Sequence, residues 1–131
     1  MLTAAPLVAF AGTTDLERSH AFYGGVLGLR HVETTPFANV YDAAGTSLRV
    51  TLVQKVAGAP YTVLGWSVPD IHAAIGELIA RGVVLDRFDG IEQDEADVWI
   101  APDGTQVAWF TDPDGNRLSL SHHPESGADD S

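Results

Sequence analysis

The sequence contains no cysteine. This absence excludes disulfide bonds, a thiolate nucleophile and zinc sites built on sulfur. Basic residues are also scarce, with 7 Lys and Arg against 18 Asp and Glu and a formal net charge of −11. A nucleic-acid-binding surface needs clustered Lys and Arg, so we expect no nucleic-acid partner. The acidity suits either simple solubility or the attraction of a cationic ligand.

Long apolar runs are missing as well. Although 45% of the residues are hydrophobic, no run approaches the roughly 18 residues needed to cross a bilayer. The first ten residues, MLTAAPLVAF, have no basic residue before their apolar stretch, which argues against a signal peptide. We therefore expect a soluble, cytoplasmic protein with no membrane partner. At 131 residues it is sized for one domain, or for two half-size modules that share a core.

What the sequence does contain is a segment that occurs twice. Asp42-Ala-Ala-Gly45-Thr-Ser-Leu48-Arg-Val50 is matched seventy positions later by Asp112-Pro-Asp-Gly115-Asn-Arg-Leu118-Ser-Leu120. Asp and Gly are typical of a tight turn, and the alternating apolar residues behind them are typical of a strand. Upstream of each copy, an apolar strand is followed by an Asp that suits a helix N-cap, at Asp15 and Asp70. The pattern predicts a duplicated unit of strand, helix and further strands.

The boundaries follow from periodicity and turn residues. We predict a first module over about residues 4–54, a second over about 60–122, and a disordered acidic tail at 123–131. Helices are predicted from Asp15 to Gly28 and from Asp70 to Arg81. An acidic loop is predicted at 89–97. Strands are predicted at 7–13, 30–35, 37–42, 47–54, 61–68, 83–87, 98–101, 106–111 and 117–122.

Two segments of the sequence resemble motifs of a known family. Phe22-Tyr-Gly-Gly-Val-Leu-Gly-Leu29 and Trp109-Phe-Thr-Asp-Pro-Asp-Gly-Asn-Arg-Leu-Ser-Leu120, placed at the expected points of the duplication, are similar to motifs of the glyoxalase/bleomycin resistance/extradiol dioxygenase (vicinal oxygen chelate) superfamily. The resemblance runs from about residue 7 to 122. It implies an α+β fold in which two βαβββ modules form a curled, cup-shaped mixed sheet that holds a ligand or a metal.

Enzymes of this family usually place four metal ligands, His or Glu, on the first and a late strand of each module. The resemblance places these positions here at Val8, Val63, Ser119 and either Arg49 or Thr51. A divalent cation needs several deprotonated donors at about 2.0–2.6 Å, which this set lacks. We therefore predict no metal site and no cofactor.

Strand alternation predicts which side chains line the open face of the sheet. Trp109 is the strongest candidate for stacking on a planar ligand, with a core role as the alternative. Trp99 is either a lid over the site or an ordinary buried anchor. Arg49 either binds a ligand anion or forms a structural salt bridge with Asp42, Glu33 or the acidic loop. The predicted ligand-binding set is completed by Phe10, Thr51, Ser119 and Val63.

Three functions fit these observations. The first is a metal-free protein that sequesters a small organic molecule, as the bleomycin-resistance branch of the family does. The second is a lyase, isomerase or dioxygenase of the superfamily. Metal-dependent chemistry would require ligands that the four positions lack, and for a metal-independent enzyme the catalytic residues are unknown, with Tyr41, Tyr61 and His31 as possible bases. Asp112 and Asp114 are explained by their turn rather than by catalysis. The third is a protein-interaction role, and we expect a homodimer, with or without exchange of modules.

Overall fold

The fold comes from a computed structural model that describes residues 1–124. Of the predicted acidic tail, positions 125–131 lie outside the described residues. The chain forms two compact units. Unit 1 contains Met1–Ala59 together with Asp112–Asn116, and unit 2 contains Pro60–Thr111 and the described chain from Arg117 onward. Within residues 1–124, no helix combines the length and the apolar character needed to cross a membrane.

Unit 1 has the order strand, helix, strand, strand, strand. Its helix begins after Asp15, whose carboxylate accepts a hydrogen bond from the backbone N–H of Arg18, as predicted for an N-cap. The second half of this helix is π-helical, which the sequence pattern did not predict. The elements are β1 (Val8–Thr13), α1 (Leu16–His20), a π-helical segment (Ala21–Val26), β2 (Arg30–Thr34), β3 (Ala38–Ala43) and β4 (Thr46–Leu52).

Unit 2 repeats this order. Asp70 caps its helix by accepting a hydrogen bond from the backbone N–H of Ala73. The elements are β5 (Leu64–Ser67), α2 (Ile71–Ala80), β6 (Trp99–Ile100), β7 (Gln106–Thr111) and β8 (Arg117–His122). Each unit therefore holds one four-stranded mixed sheet, ordered β1-β4-β3-β2 in unit 1 and β5-β8-β7-β6 in unit 2. In both sheets the first and last strands of the unit pair in parallel and the remaining pairs are antiparallel.

The prediction of a strand at 83–87 is wrong, because this segment is not part of a strand. Its backbone is bonded in other ways. The N–H of Asp86 donates to the carbonyl of Trp109, but the carbonyl of Asp86 and the N–H of Phe88 are both bonded by the side chain of Gln93. A side-chain amide thus satisfies backbone groups that a neighbouring strand would otherwise pair.

Each sheet has one face against helices and one open face. Helix α1 contacts β3 and β4, and α2 contacts β7 and β8. On β4, Leu48 and Val50 are buried. Arg49, which lies between them, and Thr51, which follows Val50, are half-buried. The same alternation on β7 buries Ala108 and Phe110 and leaves Trp109 on the open face, as predicted from the period of two.

The two copies of the repeated turn differ in length. Between β3 and β4, Ala43 pairs with Thr46, so only Ala44 and Gly45 form the turn, both with positive φ (50° and 96°). This is the geometry of a type I′ hairpin turn. Between β7 and β8, Pro113 stands where Ala43 stands in the first copy, and without a backbone N–H it cannot pair with Asn116 as Ala43 pairs with Thr46. The backbone N–H of Asp112 donates instead to the carbonyl of Asn116 around a three-residue loop.

Ala44 is therefore expected to carry backbone strain that asparagine would relieve. Left-handed backbone geometry is costly for alanine, and Asn-Gly is the preferred type I′ pair. Ala44→Asn should raise the free energy of unfolding by about 0.5–1 kcal/mol, measured by urea denaturation. Ala57→Asn, which adds the same side chain at a residue without positive φ, is the control. A lower stability for the Ala44 variant would contradict the turn assignment.

Candidate functional site

Strand register settles which residue of unit 1 matches Ser119. In unit 2, the residue two positions after Val63 pairs with Ser119. In unit 1, the residue two positions after Val8 pairs with Arg49. Arg49, rather than Thr51, is therefore the counterpart of Ser119.

The residues at these four positions do not fit a divalent metal ion. Val8 and Val63 offer no donor atom, Ser119 offers only a neutral hydroxyl, and Arg49 carries a positive charge that repels a cation. Among residues 1–124, no group of three or more His, Asp or Glu side chains is arranged to hold a metal ion. We therefore assign no chemistry to a metal at these positions.

The open face of unit 1 brings three of the predicted site residues together. Phe10 pairs with Arg49 across β1 and β4, and Thr51 lies two positions further along β4. Phe10 is 62% exposed. The side chain of Arg49 forms no ion pair or hydrogen bond with any residue from 1 to 124, and Asp42, one of its predicted partners, bonds to Arg30 instead. The structural salt bridge predicted for Arg49 is therefore not formed within the described chain.

The open face of unit 2 carries a cavity of about 420 Å³. Two predicted residues, Trp99 and Trp109, line it, with their ring centroids 6.2 Å apart. The ring of Phe88 meets Trp109 edge to face at 5.4 Å. We call this site the aromatic cavity, and its remaining lining residues are Pro60, Tyr61, Thr62, Ile91 and Arg117.

The strands place the two tryptophans, whereas a loop supplies the third ring. Trp99 pairs with Val107, so Trp109 lies diagonally across from it on the same face. Phe88 belongs to the segment between α2 and β6 and is held there by Gln93, whose side chain accepts from the Phe88 N–H at 2.7 Å. The same side chain donates to the carbonyls of Asp86 and Asp97 at 3.0 and 2.8 Å. One glutamine therefore fixes the wall of the cavity.

Among the described residues that line the cavity, Arg117 alone carries a charged group. Its guanidinium carbon lies 4.8 Å from the centroid of the Phe88 ring, at cation–π distance. One terminal nitrogen is 3.5 Å from a carboxylate oxygen of Asp86, at the outer limit of a hydrogen bond. Burial raises the pKa of Asp86, and the positive charge of Arg117 opposes that rise. The Nε–H of Arg117 is buried and has no acceptor within residues 1–124.

Ser119 and Val63 lie next to the aromatic cavity without lining it. Ser119 pairs with Trp109 on one side and with Gly65 on the other. A Cβ at Gly65 would be 2.8 Å from the Ser119 hydroxyl, so glycine leaves room for this serine. The backbone N–H of Val63 donates to the carbonyl of Arg117. Both residues therefore help to position the strands that carry Trp109 and Arg117.

Phe88 and Ile91 were not predicted from the sequence as site residues. They occur among the charged residues around the predicted acidic loop, where two isolated apolar side chains were the only available signal. Two acidic residues of that loop have structural partners. Asp94 accepts from the backbone of Ala96 and Val98 and contacts His72, and Asp97 forms an ion pair with Arg87.

Both aspartates of the second turn accept hydrogen bonds within unit 1, and Asp112 does so from the turn itself, as predicted. Asp112 is 5% exposed and accepts hydrogen bonds from the Tyr23 hydroxyl, the Asn116 side chain and the backbone N–H groups of Asp114 and Asn116. Asp114 accepts from the side chains of Thr13, Thr14 and Arg18. Neither carboxylate lines the aromatic cavity.

Asp114 should make unfolding depend on pH. Burial disfavours its charge, but the hydrogen bonds from Thr13 and Thr14 and the charge of Arg18 outweigh burial and hold the pKa below 3.8. Because the folded-state pKa is depressed, its stabilisation is complete above 3.8 and is lost as pH falls through the lower folded value. Asp114→Asn should lower the free energy of unfolding by about 1.5–3 kcal/mol at pH 7, measured by urea denaturation. The difference from the unchanged protein should be smaller near pH 2. An equal difference at both pH values would contradict a stabilising role for the ionised Asp114 carboxylate.

The candidate bases occupy different environments. Tyr41 is fully buried, with its hydroxyl 2.8 Å from Nδ1 of His20, and burial raises the pKa of Tyr41 to about 12. It is therefore protonated at neutral pH and unsuited to accept a proton. His31 lies beside His20 with ring centroids 4.6 Å apart and contacts Thr34 through Nε2. Tyr61 alone of the three candidates lines the aromatic cavity, and it is 66% exposed.

Duplicated βαβββ units with mixed sheets, and an open sheet face that carries a ligand-sized cavity, define an α+β protein of the vicinal oxygen chelate fold. The family model confirms this class over residues 7–120. The chain belongs to the Glyoxalase/Bleomycin resistance protein/Dioxygenase superfamily.

Solved structures share the fold at low sequence identity. A superfamily member from Sphaerobacter thermophilus DSM 20745 has 24% identity and a TM-score of 0.73, with 94% of this chain and 100% of that chain covered. A glyoxalase/bleomycin resistance protein/dioxygenase from Alicyclobacillus acidocaldarius has 17% identity, a TM-score of 0.72 and 94% coverage of both chains. Lactoylglutathione lyase from Agrobacterium tumefaciens has 18% identity and a TM-score of 0.68, with 93% and 96% covered. Among curated proteins, no sequence matches the chain.

Proposed function

We propose that this protein binds a small, flat organic molecule in the aromatic cavity without using a metal ion, as the drug-binding branch of the superfamily does. The observation that carries the proposal is the convergence of three aromatic rings, Phe88, Trp99 and Trp109, on one open cavity. The unsuitability of Val8, Val63, Ser119 and Arg49 as metal ligands supports a metal-free mode of binding.

The cavity has the properties of a small-molecule site. Its volume of about 420 Å³ lies within the range of about 300–1,000 Å³ that such sites occupy. The indoles of Trp99 and Trp109 offer large, stiff apolar surfaces that lose little side-chain entropy on binding. The edge of Phe88 closes the third side. A planar ligand would bury these surfaces and gain the transfer free energy of its own apolar area.

A ligand screen tests the proposal directly. The protein would be titrated with bleomycin and with planar aromatic and polyketide-like compounds, following tryptophan fluorescence and thermal unfolding. We expect saturable quenching with at least one planar compound, together with a stabilisation of about 2.7 kcal/mol when its concentration reaches 100 times Kd. The absence of a saturable response from every compound would contradict the proposal.

Elemental analysis of protein purified without chelator separates this function from metal-dependent chemistry by a lyase, isomerase or dioxygenase. Under the proposal, no divalent metal is bound in stoichiometric amount. A stoichiometric transition metal that resists dialysis would instead favour the enzymatic alternative and would place its ligands outside the four positions considered above.

A homodimer stays a prediction. Oligomers of identical chains are most often two-fold symmetric dimers, and exposed apolar residues such as Phe10 on the open face of unit 1 would suit a shared surface. Light scattering after size exclusion measures the number of chains in solution.

A further inference from the structure

The side chains that line the aromatic cavity carry more hydrogen-bond donors than acceptors. Indole N–H groups and the guanidinium can only donate hydrogen bonds, and these are the polar groups of Trp99, Trp109 and Arg117. The hydroxyls of Tyr61 and Thr62 can donate or accept. Of the described residues that line the cavity, none carries a carboxylate or an amide side chain. The lining therefore offers a ligand more donors than acceptors.

Most of these donors are unused inside the protein. The side chains of Trp99, Trp109, Tyr61 and Thr62 form no hydrogen bond with residues 1–124. A ligand that carries acceptor oxygens can meet them directly, whereas a ligand that carries only donors would leave them unpaired once water is expelled. An acceptor-rich ligand is therefore favoured.

Arg117 is the strongest of these donors and is poorly paired. A guanidinium has five N–H groups, yet the contacts of Arg117 are the 3.5 Å approach to Asp86 and the stacking on Phe88. Its side chain keeps 25% exposure at the cavity wall. A planar carboxylate matches the fork of a guanidinium with two parallel hydrogen bonds.

From this we infer that the preferred ligand is an aromatic carboxylic acid, with its ring system against Trp99, Trp109 and Phe88 and its carboxylate on Arg117. The inference rests on the proposed function and adds the chemical class of the ligand. It favours solubility over the attraction of a cationic ligand as the explanation of the net charge of −11. Long-range repulsion from that charge is screened beyond about 8 Å at physiological ionic strength, so the contact with Arg117 decides the preference.

Matched ligands test the inference. The first trio consists of 2-naphthoate, 2-naphthamide and 2-naphthylmethylammonium, which share one ring system and differ in charge. Equivalent trios with a single ring and with three fused rings vary the size of the ring system. At pH 7 the carboxylate should bind about 10- to 100-fold more tightly than the amide by calorimetry, and the ammonium more weakly than either.

Two substitutions should move the affinity in opposite directions. Arg117→Gln should reduce the carboxylate to within about 3-fold of the amide, because the charged hydrogen bonds are lost. Asp86→Asn should strengthen the carboxylate by about 3-fold or more, because Arg117 loses its competing partner, and should leave the amide unchanged. Arg81→Gln, which removes a positive charge at the end of α2, is the matched control and should change neither affinity.

The outcomes separate the two proposals. If the amide or the ammonium binds as tightly as the carboxylate, the ligand class is wrong while the aromatic cavity stands. If no member of any trio binds, the ligand class is wrong, and the proposed function fails as well only when the wider compound screen is also without a saturable response. If Arg117→Gln does not fold, the inference is tested by the ranking of affinities within each trio and by Asp86→Asn. A weaker or unchanged affinity of Asp86→Asn for the carboxylate overturns the inference.

Discussion

Replacing Asp112 with alanine is expected to lower the free energy of unfolding by about 3–5 kcal/mol. Four donors lose their common acceptor in this variant: the Tyr23 hydroxyl, the Asn116 side chain and the backbone N–H groups of Asp114 and Asn116. These groups are buried or nearly so, and water cannot replace the carboxylate at each of them without opening the turn. Small domains have a total stability of about 5–15 kcal/mol, so this loss is a large part of it.

Urea denaturation followed by circular dichroism measures the effect, and Tyr23→Phe provides the graded control. That variant removes a single donor from the network, so its cost should be about 1–2 kcal/mol. The phenol of Tyr23 is held protonated, because burial and then the neighbouring Asp112 charge raise its pKa. A loss below about 1 kcal/mol for Asp112→Ala would contradict a structural role for this carboxylate. Its conspicuous motif would then need a functional explanation.

Trp109→Ala is expected to weaken binding of any ligand of the aromatic cavity by about 30-fold or more. The substitution removes the ring that contacts both Trp99 and Phe88, and with it one of the two indole surfaces of the site. Calorimetry is the appropriate measurement, because the variant also loses a fluorophore. Circular dichroism and urea denaturation would establish that the variant remains folded.

Trp66→Phe is the matched control for Trp109. Trp66 lies on β5 in the same unit, but it pairs with Leu120 on the helix-covered face and does not line the aromatic cavity. Its substitution should alter stability slightly and leave affinity within about 3-fold, since it removes no ligand contact. An unchanged affinity in Trp109→Ala would place the ligand elsewhere, and the open face of unit 1 with Phe10 and Arg49 would be the next site to test.

Local features were predictable where a short pattern determines them. Asp15 and Asp70 cap their helices, because a carboxylate before a helix satisfies an N–H group that the helix cannot. The alternation of Leu48, Arg49 and Val50 assigned strand faces correctly, because successive side chains on a strand point in opposite directions.

Features that depend on distant side chains were not predictable in this way. The segment at 83–87 has the composition of a strand, but Gln93 bonds its backbone and holds Phe88 at the cavity instead. The two copies of the repeated turn have similar sequences, yet Pro113 has no backbone N–H and cannot form the closing pair that Ala43 forms with Thr46 in the first copy.

The sequence by itself determined the duplication, the composition of each strand face and the absence of metal-ligand donors at the expected positions, because these follow from residue identity and a period of two. The tertiary structure alone decided that Phe88 and Arg117 meet Trp99 and Trp109 at one cavity. The reason is physical: Phe88 is placed by side-chain hydrogen bonds to backbone, and Arg117 by its strand register and its approach to Asp86, all contacts between residues that no local pattern links.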